Sequence, residues 1–188
     1  GNLAFPPVPD HPTTEQVAAA VALLDEIFGD FPYVDVASRA NMLGLLLTPS
    51  LRPQIKGPTP LALIDAPQRG TGKSLLAELV SIIATGRPAA MLSAPDNNEE
   101  WRKSLTSTFR EAAAVITIDN VEGRLDASAL ALALTAPVWK DRILGSSTTF
   151  EFPIACTWIA TGNNISPGGD IPRRCFWVRC SRRPNADT

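Results

Sequence analysis

The chain has 188 residues, 17 basic and 19 acidic, for a formal net charge of −2. Hydrophobic residues make up 45% of it and charged residues 19%, which suits one domain with a sizeable core and argues against wholesale disorder or a polybasic coat for nucleic acid. The single histidine, His11, sits in a proline-rich arm and the three cysteines form no CxxC pair, so a multi-histidine metal site and a Ser-His-Asp triad are both disfavoured.

Residues 1–12 predict an extended arm, because proline fixes φ and removes backbone donors. Thr13 and Thr14 offer helix caps, with Gln16 placed for a capping box, and Val17, Val21, Leu24 and Phe28 recur at helical spacing up to Gly29. A second helix is expected over 36–47, ending before Pro49, followed by a connector broken by Pro53, Gly57 and Pro58. This N-terminal helical segment spans 13–59, and the remaining core spans 60–183.

From Leu61 the pattern changes. Residues 61–66 form an apolar run suited to a buried strand, 73–86 a helix stopped by Gly86, and 88–93 a weak strand. Asp96 or Asn97 caps a helix running to about 112, and 113–119 is a strongly apolar third strand. A short helix over 125–135 precedes an alternating stretch around Gly145, expected as a β-hairpin, and 156–164 and 175–180 read as two further strands. Strands alternating with helices predict parallel α/β architecture. No signal peptide and no apolar run of roughly 20 residues is visible, so the expected setting is cytoplasmic, with Cys156, Cys175 and Cys180 as buried reduced thiols. Trp158 and Trp177 are expected in central strands of the core, and Trp101 and Trp139 as packing residues. Arg102, Lys103, Arg182 and Arg183 are expected in solvent.

The sharpest motif is APQRGTGKS, residues 66–74, between a predicted strand and a predicted helix. Gly70 and Gly72 let the backbone curl so that successive amides face a phosphate, and the helix N-terminus adds partial positive charge. The candidate phosphate-binding residues are Gln68, Arg69, Gly70, Thr71, Gly72, Lys73, Ser74 and Leu75. Lys73 would meet the β and γ phosphates and Ser74 would ligate Mg²⁺. Pro67 stands where such loops usually have their first glycine.

A nucleoside triphosphatase also needs a carboxylate facing this loop to hold the magnesium. The apolar strand VITID ends in Asp119 and supplies one. Asn120 follows, an amide that orients water but does not take its proton, which leaves Glu99, Glu100 and Glu122 as candidate bases. The strand TWIATGNN ends in Asn163 and Asn164, either of which suits a γ-phosphate sensor. Arg173 and Arg174 precede the last strand and suit an arginine finger.

Taken in order, APQRGTGKS, VITIDN, ATGNN and GDIPRR resemble the AAA+ ATPase core. The stretch WKDRILGSSTTFEFPIACTWIATGNN is similar to the region before sensor 1 in superfamily-3-type helicase domains of phage, plasmid and mobile-element replication proteins. The resemblance covers about residues 60–180. It implies a P-loop NTPase fold: a five-stranded parallel sheet in the order 5-1-4-3-2 flanked by helices, with a β-hairpin before the sensor 1 strand. It implies ATP and Mg²⁺ bound between subunits of a homo-oligomeric ring, commonly a hexamer, with single-stranded DNA in the central channel. Lys73 and Ser74 match Walker A, Asp119 matches Walker B, Asn163 or Asn164 sensor 1, and Arg173 or Arg174 the finger. Lys140 and Arg142 fall in the hairpin region that touches DNA in that family. The helical lid usual after the last strand is missing from the pattern, so a longer protein is expected, with a primase module as a candidate neighbour. The function expected is an ATP-hydrolysing replicative helicase or translocase of a phage or mobile element. The alternatives are an AAA+ ATPase that remodels or loads a protein, and a nucleotide-binding switch with little hydrolysis.

Overall fold

The computed structural model describes residue 7 and residues 9–142 and 149–181. The chain divides into two compact units, Gly1–Phe31 and Pro32–Thr188. In the first, α1 (Thr14–Phe28) starts with a complete capping box: Gln16 N donates to Thr13 Oγ1 at 3.3 Å, and Thr13 N donates to Gln16 Oε1 at 2.9 Å. Gly29 caps its C-terminus, as the sequence predicts.

The second unit begins with α2 (Val36–Leu51), capped by Asp35, whose carboxylate accepts from Ser38 N at 2.7 Å. The helix runs through Pro49 rather than ending before it. Proline already holds a helical φ, and in the last turn it gives up one hydrogen bond while the chain leaves the helix two residues later, through a 3-10 turn over Arg52–Gln54. Helix α2 packs on the sheet edge and on the third helix, and residues 32–59 fall in the same compact unit as the sheet.

The sheet strands are β1 (Leu61–Ala66), β2 (Ala90–Ser93), β3 (Val115–Leu125), β6 (Thr157–Pro167) and β7 (Cys175–Arg179). Strands β4 (Val138–Arg142) and β5 (Thr149–Pro153) pair antiparallel as a separate hairpin. Every pair in the sheet is parallel, in the order β2-β3-β6-β1-β7. These labels differ from the expected 5-1-4-3-2 because the hairpin strands take two numbers; numbered without them, the five strands read 5-1-4-3-2 from the β7 edge. Strands buried on both faces explain the unbroken apolar runs in β1, β3 and β6.

The crossing helices are α3 (Lys73–Thr85), α4 (Asn98–Arg110) and the short α5 (Ser128–Ala133). Asn97 rather than Asp96 caps α4, accepting from Glu100 N at 3.0 Å. Leu61, Leu63, Ile116, Ile118, Trp158 and Ala160 share one apolar cluster with Trp101, Leu105 and Phe109 of α4 and Leu130 of α5. Ala62, Ile64 and Ile159 alternate with them and are buried toward the other face, where α3 contributes Leu76, Ala77 and Val80. Trp158 is fully buried, but Trp177 is half-buried because β7 is an edge strand; the Arg179 guanidinium lies 4.5 Å above its ring. Cys175 on the same edge is half-buried too, unlike Cys156 and Cys180. Residues 32–34 cover part of that edge, with Tyr33 bridging Cys180 and Val34 N donating to Arg179 O at 3.0 Å.

The hairpin is tied to α4 from below. Asp141 is buried; its carboxylate accepts from Arg102 and, at 2.6 Å, from Thr106 Oγ1, while Trp139 Nε1 donates to Thr106 Oγ1 at 2.9 Å. Arg102 is therefore paired rather than simply solvated, because Asp141 needs a countercharge. Lys103 remains at the surface beside Glu99 and Glu100. Arg182 and Arg183, the hairpin tip and the side chain of Arg142 lie outside the described residues. Among the described residues no helix is long and apolar enough to cross a membrane.

Candidate phosphate-binding site

Beyond the C-terminal end of β1, where the chain turns into α3, a cleft of about 600 Å³ opens beside the middle of β3 and β6. Crevices at this end of a parallel sheet are where α/β proteins take their ligands. The cleft is built from the 69–75 turn, the Asp119–Asn120 corner of β3 and Thr161–Asn163 of β6.

The turn owes its shape to Gly70 and Gly72, whose φ angles are +81° and +88°. Only glycine holds that region without strain, and Gly72 there is the residue from which α3 starts. Leu76 N donates to its carbonyl at 2.9 Å. Thus the backbone amides at the start of α3 sit at the cleft, where a helix favours negative charge.

Lys73 is buried at the centre. Its Nζ donates to Gln68 O at 3.0 Å, Thr71 Oγ1 at 3.1 Å and Asn163 Oδ1 at 2.9 Å. All three acceptors are neutral. Burial holds the ammonium below the ordinary lysine pKa, opposed by the charges of Asp65 and Asp119 nearby. The arrangement is a desolvated cation without a paired anion at the mouth of a helix.

Ser74 Oγ donates to Asp119 Oδ1 at 3.1 Å, bringing together two oxygens that are far apart in the chain. Thr161 Oγ1 donates to the same carboxylate oxygen at 2.6 Å and accepts from Asn120 N at 3.1 Å. Thr161 is thus the residue that aims Asp119, and the sequence reading passed over it. Asp65 was missed as well: its carboxylate accepts from Ile165 N at 3.0 Å and so fixes the backbone just after Asn163. The available signal for both was a polar residue inside an otherwise buried apolar strand.

Asn163 rather than Asn164 faces Lys73. Asn164 is exposed, holds φ +53°, and its Nδ2 donates to Pro67 O at 3.4 Å. Pro67 therefore serves the loop through its carbonyl. Of the three candidate bases, Glu122 is joined to the cleft: its Oε1 accepts from Asn120 Nδ2 at 3.3 Å and from Arg69 at 3.4 Å. Glu99 and Glu100 are held by Lys103 at 3.1 and 2.8 Å and do not line the cleft.

Neither arginine of the Arg173–Arg174 pair lines this cleft. Arg174 donates to Ala131 O and pairs with Asp170 at 3.5 Å, whereas Arg173 is exposed. Lys140 pairs with Glu151 across the hairpin at 2.5 Å. No group of three or more His, Cys, Asp or Glu that would hold a metal ion occurs among the described residues. No protein-family model matches the sequence, and a search of curated proteins found no match.

Proposed function

We propose that this chain is a P-loop ATPase of AAA+ type, binding ATP with Mg²⁺ in the cleft at the foot of α3 and hydrolysing it, as a motor subunit of an oligomeric ring that moves on single-stranded DNA. The observation that carries the ATPase reading is the meeting of Lys73, Ser74, Asp119 and Asn163 around one crevice, the first two from the helix start and the others from two neighbouring strands. The sheet order, counted without the hairpin, supports the AAA+ assignment.

Ser74 Oγ and the Asp119 carboxylate would hold the magnesium. They are two hard oxygen donors in contact with each other, and Mg²⁺ takes few protein ligands beside phosphates and water. When bound, the ion neutralises charge on the phosphates. The chain's own residues do the rest. Amides at the start of α3 bind phosphate oxygens, and Lys73 exchanges its neutral acceptors for them. Asn163, no longer occupied by Lys73, is free to orient the attacking water toward the γ-phosphorus. Arg173 or Arg174 of a neighbouring subunit would stabilise the charge developing in transfer.

Lys73→Ala is expected to abolish ATP binding and turnover, measured by calorimetry and phosphate release; retained turnover would sink the reading. Turnover per chain that rises with protein concentration and with added single-stranded DNA supports the ring on DNA. The Lys140–Glu151 pair favours a second reading, remodelling of a protein partner, because it leaves Lys140 committed within the hairpin. That reading predicts turnover that depends on concentration and ignores DNA. Asn120 alone favours a third, a switch that binds ATP without turning it over.

A further inference from the structure

We infer that Glu122 takes the proton from the attacking water, and that Arg69 latches it in the resting state until phosphate draws the arginine away. The inference rests on the ATPase reading above and deepens it.

The carrying observation is a bulge in β3. Ile118 stands opposite Ala160 of β6, yet Val121 stands opposite Gly162. Asp119 and Asn120 therefore share the single rung of Thr161. In an unbroken register Val121 would face Asn163. The inserted residue moves Glu122 onto that rung instead, beside the amide that holds Lys73. The extra residue is Asn120, which carries the bulge at φ +54°, a region asparagine tolerates better than most residues. Gly162 makes room on the facing strand: a Cβ there would lie 2.4 Å from Val121 O. The bulge thus gives Asp119 to the metal position and a second carboxylate, three residues on, to the Asn163 rung.

The resting contacts of Glu122 add a control. One oxygen accepts from both Arg69 and Asn120 Nδ2, and both of those residues line the cleft. Arg69 lies in the phosphate turn, so an incoming triphosphate competes with Glu122 for the same guanidinium. Once released, the carboxylate accepts a proton from water. The water oxygen bonds to the γ-phosphorus as the bond to the β–γ bridging oxygen breaks, and the electron pair leaves on ADP. The proton is held on Glu122 until product release.

Glu122→Gln tests the base, and its exposed position leaves folding intact. ATP affinity and turnover are measured separately for wild type, Glu122→Gln, Arg69→Gln and the double variant. Glu122→Gln should retain ATP binding and lose turnover by about a hundredfold or more, the scale of a removed general base. It should also tighten ATP, by up to about fivefold, the scale of an exposed ion pair. That tightening should vanish in the Arg69→Gln background, since the latch needs the arginine. Unchanged turnover in Glu122→Gln would overturn the base while leaving the ATP site standing. Tightening that persists without Arg69 would overturn the latch, because simple charge removal then accounts for it. Wild-type protein that binds ATP and never hydrolyses it overturns the inference alone; wild-type protein that binds no ATP overturns the ATPase reading beneath it.

Discussion

Lys73 is a cation whose three hydrogen-bond partners are all neutral, and that fact has consequences for a single side chain. Burial depresses its pKa in the free protein, and phosphate oxygens would restore it. In the alkaline range below the ordinary lysine pKa, the free protein then holds less of the Nζ proton than the complex does. ATP binding should therefore take up protons in that range, and Lys73→Ala should lose this uptake, as read by calorimetry in buffers of different ionisation enthalpy. Absence of uptake in the alkaline range would mean that Lys73 does not meet the phosphates. Gly162 makes a second prediction. Its absent Cβ would lie 2.4 Å from Val121 O and 2.7 Å from Ile165 Cγ1, and a backbone carbonyl has nowhere to go. Gly162→Ala should cost about 1–3 kcal/mol in urea unfolding, the usual range for an overpacked interior. The thiols differ in the same local terms: burial pushes Cys156 up to about 12 and Cys180 up to about 11, so Cys175 should react first with a thiol reagent.

The hairpin is the element whose attachment is least obvious from its own residues. Its strands alternate, but what anchors it is a buried polar chain running from Trp139 through Thr106 to Asp141 and out to Arg102. These links differ in worth. Thr106 is buried and satisfies both the indole N–H and the carboxylate, so Thr106→Val leaves two groups short and should cost about 1–3 kcal/mol. Arg102→Ala takes the guanidinium countercharge from the buried Asp141 carboxylate, so it should cost at least as much, about 2–4 kcal/mol, although the Arg102 side chain itself is 55% exposed. A smaller loss for Arg102→Ala than for Thr106→Val in denaturant unfolding would contradict this ordering. The helix α2 teaches a related lesson about Pro49. A proline near a helix end marks where hydrogen bonding stops mattering, and contacts with the sheet edge and α3 carry the helix past it.

The assembly question turns on which subunit supplies the arginine. Arg174 is tethered to the Ala131 carbonyl and to Asp170, while Arg173 is exposed, so Arg173 is the freer of the two. If it serves a neighbour's nucleotide, Arg173→Ala chains should bind ATP without hydrolysing it. Mixing them with Lys73→Ala chains should restore part of the turnover, because some junctions then pair an intact loop with an intact arginine. Mixtures as inactive as their components would mean that Arg173 does not act across a subunit boundary.

The pattern of residues by itself determined the parallel α/β class, the glycine turn opening onto a helix, a carboxylate in the third strand and the neighbourhoods of the caps of α1 and α4. Each is a short-range property, set by periodicity and turn chemistry within a few residues. The structure carries β3 past Asp119 to Leu125 and chose Thr13 and Asn97 as the caps. Folding in three dimensions decided which partners meet: Thr161 with Asp119, Asn163 with Lys73, Asp141 with Arg102 and Thr106. It also chose Asn163 over Asn164 at the cleft and brought Glu122 to the Asn163 rung. Alternating apolar residues specify which face of a strand is buried, but one inserted residue changes the register without leaving a mark in that alternation. The bulge at Asn120 is visible only once β3 and β6 lie side by side.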